Sequence, residues 1–232
     1  MNSFIELQGV TKEYRRGGEI LTVLDDLDLT IPPTDFLALM GPSGSGKTTI
    51  LNVVGALDRP DRGKVFVDRT ELTALPEAKL PDWRARNVGF VFQSFNLMPV
   101  LTALENVLLP LSLTPLSRAE RRKQAKFALE VVGLEDRMDH RPNQLSGGQE
   151  QRVAIARAIA TDPAVIVADE PTGDLDRETA NQVMDLLRRL NTELEKTIVM
   201  VTHDPAAAEQ CKRTLHLDKG VLVENPAGGN AA

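Results

Sequence analysis

The sequence predicts an α/β fold: a strand-and-helix core carrying an antiparallel β subdomain and an inserted α-helical subdomain. Three observations lead there. First, the apolar run Phe36–Met40 leads into a glycine-rich loop and then into Thr49–Val54, a helix closed by Gly55. Second, Ala164–Ala168 and Thr197–Thr202 are apolar runs of the kind buried on both faces of a parallel sheet. Third, residues 94–160 show helical periodicity and few strand signals, so they read as an insertion.

Taken in order, Phe4–Leu7 is a first strand, and Glu13–Glu19, with Gly17 and Gly18, is a polar turn. Leu21–Ile31 alternates apolar and polar residues, which predicts a half-exposed antiparallel strand stopped by Pro32 and Pro33. Lys64–Val67 is a short strand after the turn Asp61–Gly63. Pro76–Arg86 is a short polar helix that Pro81 interrupts. Val88–Phe92 is a strand ending at Gln93. Ser94–Pro99 is a loop rich in apolar side chains, a costly arrangement unless something covers it. Leu104, Val107 and Leu108 share a helical face before Pro110.

Ser117 and Glu120 form a capping box that opens a long helix. Phe127, Val131 and Leu134 point inward along it, and Gly133 ends it. Leu145–Gln149 opens another helix, through Val153, Ala156 and Ile159 to Thr161. Asp176–Glu195 is amphipathic, with Ala180, Val183, Leu187, Leu190 and Leu194 on one stripe. Thr214–Leu217 and Val221–Val223 form a hairpin around Asp218–Gly220, and the tail from Pro226 frays.

The loop Gly41, Pro42, Ser43, Gly44, Ser45, Gly46, Lys47, Thr48 sits between a strand and a helix, the setting a phosphate-binding loop needs. Glycines remove side chains so that backbone N–H groups can converge on phosphate oxygens. The helix start adds unpaired N–H groups and roughly half a positive charge of dipole. Lys47 is placed to reach the β- and γ-phosphates, and Thr48 to ligate Mg²⁺. Asp169 and Glu170 follow a buried strand, so they face the crevice where ligands sit. Asp169 can hold Mg²⁺ directly or through water, and Glu170 can act as general base toward an attacking water. His203 ends another buried strand. A lone histidine there is usually a packing or surface residue, but this one could touch the γ-phosphate. Tyr14 is the only tyrosine; a purine needs a flat partner, and an edge tyrosine without a ligand is an equal alternative. Ser146, Gly147 and Gly148 open a helix; taken alone they read as a serine N-cap with a glycine turn, but they also make a second anion-binding arrangement, useful if each of two subunits serves the other's nucleotide.

The chain has 232 residues, of which 42% are hydrophobic and 26% charged, so it can build a sizeable core. With 4% aromatic residues, that core is aliphatic. The net charge of −6 argues against a nucleic-acid partner. Arg118, Arg121, Arg122, Lys123 and Lys126 are the densest basic stretch; their spacing favours a solvated helix face over a contact with anionic lipid or an acidic partner. Cys211 is the only cysteine, so an internal disulfide is impossible and the redox compartment stays open. Residues 1–6 carry no secretory pattern, and no apolar run approaches the roughly 20 residues of a membrane span. The expectation is a soluble, cytoplasmic chain that meets a membrane only through a partner.

From Phe4 to Val223 these motifs resemble the ATP-binding subunit of ABC transporters. Gly41–Thr48 is similar to the Walker A loop and Val165–Asp169 to the Walker B strand. Leu145–Gln149 is similar to the ABC signature, which other phosphate-loop families lack. The resemblance implies a RecA-like phosphate-loop NTPase core, with 1–93 and 161–225 as the nucleotide-binding part, 94–160 as the helical subdomain and 226–232 as a tail. It implies ATP and Mg²⁺ as cofactors, with Thr48, Gln93 and Asp169 as metal-site residues. Gln93, Glu170 and His203 take the catalytic roles. Tyr14 takes the adenine-stacking role, Thr49 joins the loop, and Ser146, Gly147, Gly148 and Gln149 contact nucleotide. Asp174–Asp176 resembles the D-loop. In this family two cassettes close head to tail over two ATP molecules, so a second ATP-binding subunit, an identical one, is expected. A transmembrane permease subunit is the other expected partner, reached at the inner face of the cell membrane.

Phe92–Pro99 and Leu101–Val107 further resemble the subfamily for lipoprotein release and macrolide or peptide export. The main alternative is the same ATPase driving a transmembrane signalling or cell-division regulator without cargo. A nucleic-acid ABC ATPase fits poorly, because no coiled coil, zinc module or tandem cassette is present. A GTPase fits poorly too, because Leu217–Gly220 is no guanine-reading motif.

Overall fold

The computed structural model describes residues 3–223. The expected tail from Pro226 lies outside them. The strand β1 (Ile5–Arg16) is followed by a tight turn at Gly17-Gly18 and by β2 (Glu19–Ile31). The polar turn expected over Glu13–Glu19 is therefore shorter. Residues 13–16 stay extended because they pair with residues 19–22 across the hairpin. β3 (Phe36–Met40) leads to α1 (Lys47–Val54), which ends at Gly55 as expected. β4 (Arg62–Val67) and β5 (Thr70–Glu71) form the next hairpin.

A 3₁₀ turn at Glu77–Lys79 precedes α2 (Leu80–Asn87). Pro81 does not interrupt this helix. It sits in the first turn, where its missing N–H has no intrahelical partner to lose. β6 (Val88–Phe92) follows. Then come α3 (Ala103–Leu111), α4 (Arg118–Val131) and α5 (Gly147–Ile159). β7 (Val165–Asp169), α6 (Arg177–Glu193), β8 (Thr197–Val201), α7 (Pro205–Ala208), β9 (Arg213–Asp218) and β10 (Val221–Val223) complete the chain.

The chain divides into two compact units. Among the described residues the first comprises 3–81 and 197–223. Its antiparallel sheet has the order β2-β1-β4-β5. In β2 the alternation holds, with Leu24, Leu27, Leu29 and Ile31 buried. The same unit contains β3 lying parallel to both β8 and β9, with β10 antiparallel to β9. Phe36, Leu37, Ala38 and Leu39 are buried, as are all five residues of β8. Helix α1 packs on β8 and β4, with Ile50, Val53 and Val54 buried.

The second unit is Asp82–Lys196. It pairs β6 and β7 in parallel and packs α5 against β6, α3, α4 and α6. Three of its helices open with capping boxes: Thr102 with Glu105, Ser117 with Glu120, and Ser146 with Gln149. In α4 the buried residues are Ala125, Ala128 and Leu129, followed by Val132 and Leu134. Phe127, expected inside, is 57% exposed, because α4 meets its neighbours along an alanine stripe that lets helices approach closely. Val131 is half-buried. Leu194, expected on the buried stripe of α6, caps that helix and is exposed. No helix among the described residues is long and apolar enough to cross a membrane.

Candidate active site

In the first unit the glycine loop leaves the end of β3 and enters α1. Gly46 is the N-cap with a φ of 104°, a left-handed conformation that favours glycine, and a Cβ there would lie 2.8 Å from Val23 O. The loop closes on itself through the Ser45 N–H, which donates to Pro42 O at 3.2 Å. Lys47 is buried and curls back, donating from Nζ to Gly41 O and Pro42 O, each at 2.8 Å. Its ammonium is thus held over the loop. Ser45 is 3% exposed and its Oγ has no partner. Ser43, Gly44 and Thr48 are exposed, and Thr49 is buried. An orphaned hydroxyl, a captive ammonium and the positive end of a helix dipole form a set that suits a polyanion such as a triphosphate.

His203 lies in the same unit. β8 runs parallel to β3, with Leu39 opposite Val201, and the Thr202 N–H donates to Leu39 O at 3.2 Å. The exposed His203 therefore leaves the sheet at the same end as the phosphate loop. Tyr14 lies in β1 opposite Leu21 rather than in a turn. Its hydroxyl donates to Asp58 Oδ2 at 2.8 Å, and Lys12 Nζ stands 5.1 Å from its ring centroid. Lys12 also pairs with Asp58 Oδ1 at 2.8 Å. Burial first, then the hydrogen bond to Asp58, pushes the Tyr14 phenol above its ordinary value, while Thr49 pulls the other way. Burial pushes the Asp58 carboxyl up, but the hydrogen bonds from Lys12 and Tyr14 outweigh it and hold the group below the usual carboxylate range.

In the second unit β6 and β7 are parallel and Phe92 sits opposite Asp169. Gln93 and Glu170 therefore leave from the same ends of neighbouring strands, where α/β sheets bind ligands. Gln93 is exposed, and its Nε2 donates to Asp174 Oδ1 at 2.7 Å. Asp169 and Glu170 are half-buried. Glu170 has a φ of 49°, a left-handed conformation that is uncommon for a side chain of this size and tends to cluster at functional sites. Ser146 caps α5: its Oγ accepts from the Gln149 N–H at 3.3 Å, and its N–H donates to Gln149 Oε1 at 2.9 Å. Gln149 is thus engaged in the cap. Gly148 is buried against α6, where a Cβ would meet Thr179 Cγ2 at 2.2 Å.

Some linking residues were not anticipated. Gln151 is wholly buried and touches the segments beside both Gln93 and Glu170. Its signal was a polar residue at an apolar position, between Gly148 and Ile155 on the inner face of α5. Arg157 donates to Asn96 O at 2.5 Å and to Phe95 O at 2.8 Å, holding two consecutive left-handed residues of the apolar loop. Asn106, fully buried, pins the same loop by accepting from the Met98 N–H and donating to Met98 O, Leu101 O and Thr102 O. Among the described residues no group of three His, Cys, Asp or Glu side chains is set to hold a metal alone. Cys211 is half-buried, and burial pushes its thiol up to about 12, so it is not a nucleophile at neutral pH.

Comparison with known proteins identifies the family. The sequence pattern of the ABC transporter family matches residues 24–173. An uncharacterized ABC transporter ATP-binding protein, MJ0796 of Methanocaldococcus jannaschii, is 50% identical over 220 residues, covering 93% of this chain and 94% of that one. The lipoprotein-releasing system ATP-binding protein LolD of Idiomarina loihiensis is 43% identical, covering 95% of this chain and 97% of LolD. The macrolide export ATP-binding/permease protein MacB of Rhodopseudomonas palustris is 45% identical over 97% of this chain, which corresponds to 34% of MacB. Among solved structures, the dimeric post-hydrolysis state of the MJ0796 cassette bound to ADP and Pi superposes with a TM-score of 0.86 at 47% identity, covering 95% of this chain and 97% of that one.

Proposed function

This chain belongs to the ABC transporter family, and from that premise we propose that it powers an exporter or extractor by clasping ATP between two copies of itself. It is an ATP-binding subunit with the phosphate-loop NTPase fold, and it is an ATPase. The proposal concerns how the residues divide the work and what the work is for.

In this reading the backbone of Gly41, Pro42, Ser43, Gly44, Ser45 and Gly46 wraps the triphosphate. Lys47 leaves its two carbonyls for the β- and γ-phosphates, and Thr48 and Thr49 complete the loop. Tyr14 stacks on the adenine, held upright by Asp58. Thr48, Gln93 and Asp169 would hold Mg²⁺, which would supply positive charge to offset that of the triphosphate. Glu170 takes a proton from the attacking water, and Gln93 and His203 orient the reacting groups. Ser146, Gly147, Gly148 and Gln149 serve the nucleotide of the second copy, so ATP joins the subunits and hydrolysis lets them part.

The observation that carries the hydrolytic reading is the register of Phe92 with Asp169, which sends Gln93 and Glu170 out at one end of adjacent strands. The dimeric form of the similar MJ0796 cassette supports a homodimer. The names of the LolD and MacB relatives support a cargo that is a lipoprotein, macrolide, peptide or lipid, moved by a transmembrane permease. On this reading the chain sits on the cytoplasmic face of the membrane through that permease, without nucleic acid.

The test is Glu170→Gln. It keeps ATP binding, lowers turnover by about 10² to 10⁴ and traps a dimer visible by gel filtration in ATP. Wild-type turnover in that variant would remove Glu170 from the base role. Co-purification of the permease and a cargo assay in vesicles separate transport from a cargo-free regulator.

A further inference from the structure

Gln151 lies one turn beyond the glycines of α5 and is 0% exposed. Its Nε2 donates to Pro171 O at 2.5 Å and to Phe92 O at 3.3 Å. Both N–H bonds of the amide are therefore used. Its Oε1 is buried without a partner. Phe92 immediately precedes Gln93, and Pro171 immediately follows Glu170. One side chain from α5 thus staples the exits of two adjacent strands, at the two points where the hydrolytic residues begin.

Packing alone does not account for this choice. An apolar side chain of the same length would fill the space without orphaning a buried oxygen. The amide instead supplies two donors to two backbone carbonyls. Glu170 has a left-handed backbone, and such conformations persist only where the surroundings over-determine them. The ring of Pro171 already fixes its own φ, so fixing its carbonyl removes the remaining backbone freedom next to Glu170.

We propose that Gln151 is a positioning residue for hydrolysis: it sets the backbone beside Glu170 and Gln93 from the same helix that presents Ser146. The proposal rests on the reading of Glu170 and Gln93 as hydrolytic residues. A corollary is that a shift of α5 moves both exits together.

The test uses the purified full chain with Mg²⁺ and ATP, comparing wild type, Glu170→Gln, Gln151→Met and Gln151→Glu. Gln151→Met lowers kcat by about tenfold to a hundredfold, because small misplacements are expensive in turnover. Its KM and equilibrium ATP affinity stay within about twofold of wild type, since the phosphate loop is untouched. Gln151→Glu turns its carboxylate toward two carbonyls. Only the neutral acid donates, so its activity relative to wild type rises as the pH falls from about 8 to about 6.

If Gln151→Met hydrolyses ATP like wild type while Glu170→Gln does not, the proposal is wrong and the site reading stands. If Glu170→Gln itself hydrolyses normally, the underlying reading fails. Should Gln151→Met not fold, the Glu variant decides: a pH profile parallel to wild type overturns the proposal, and a relative gain at low pH supports it.

Discussion

Gln93 Nε2 donates to Asp174 Oδ1 at 2.7 Å, tying the residue after β6 to the turn after β7. The fit is close, since a Cβ on the intervening Gly173 would come within 3.0 Å of Gln93 Cδ. Asp174 thus holds Gln93 from the side. The expected outcome of Asp174→Ala is a fall in turnover of about tenfold, with ATP affinity held within about twofold. Steady-state kinetics beside equilibrium binding checks it. An affinity loss without a change in kcat would mean that Asp174 does something else.

Ser146 has one observed role and one proposed role, and one substitution can separate them. As the N-cap of α5 it stabilises the helix, and its replacement by a non-capping residue costs about 1 kcal/mol. In the proposed dimer it also donates to the second copy's nucleotide, a role needed only there. Ser146→Arg should therefore abolish hydrolysis while leaving ATP binding to a monomeric preparation nearly intact. Ser146→Asn keeps the cap and serves as the stability control. A large loss of monomer affinity in the Arg variant would count against a shared site.

Gly148 is fixed by what stands opposite it. Thr179 cannot simply rotate away from a new methyl. Its Oγ1 donates to Asp176 Oδ2 at 2.6 Å, and its N–H donates to Asp176 Oδ1 at 3.0 Å. Gly148→Ala should lose about 1 to 3 kcal/mol by overpacking. Adding Thr179→Ser, which removes the clashing methyl and keeps the hydroxyl, should restore most of it. Urea denaturation of the two variants decides; equal stabilities would mean the strain lies elsewhere.

Asp58 gives a pH prediction. Its folded carboxyl lies below the ordinary value, so the native state favours the charged form. The stabilisation is therefore present above the unfolded value of about 3.9 and is lost as the pH falls through the folded value. The Asp58 side chain is 30% exposed and that of Lys12 is 11% exposed, so water screens the pair only in part. Asp58→Asn should cost about 1 kcal/mol near neutral pH, and the difference from wild type should shrink and vanish as the pH falls through the lowered folded value. Denaturant titrations across that range would show it. A difference that persisted in acid would assign the effect to packing.

What the sequence made legible was mostly local. The strands Phe36–Met40 and Val88–Phe92 have the bounds their apolar runs predict, and the capping box at Ser117 opens α4 where expected. The glycine loop could be seen because its strand, glycines and helix are contiguous. Phe127 misled because hydrophobicity alone cannot distinguish a large exposed residue from the small alanines that let helices approach. Polar residues suggest a loop over Glu13–Glu19, whereas hairpin pairing keeps residues 13–16 extended. The links among candidate site residues stayed hidden for another reason. Gln93 meets Asp174 across 81 positions, and Gln151 meets Phe92 across 59 and Pro171 across 20. No local pattern encodes such pairs; the topology creates them.

The reciprocal caps at Thr102, Ser117 and Ser146 also bear on how the chain acquires its form. Each is closed by groups three positions apart, so each helix can nucleate as soon as its first turn leaves the ribosome, with almost no loop to close. β6 must wait for β7, which is synthesised only after all three of those helices. Assembly of the second unit should therefore proceed from helices to sheet, and the ends of β6 and β7 that carry Gln93 and Glu170 should be among the last parts to set.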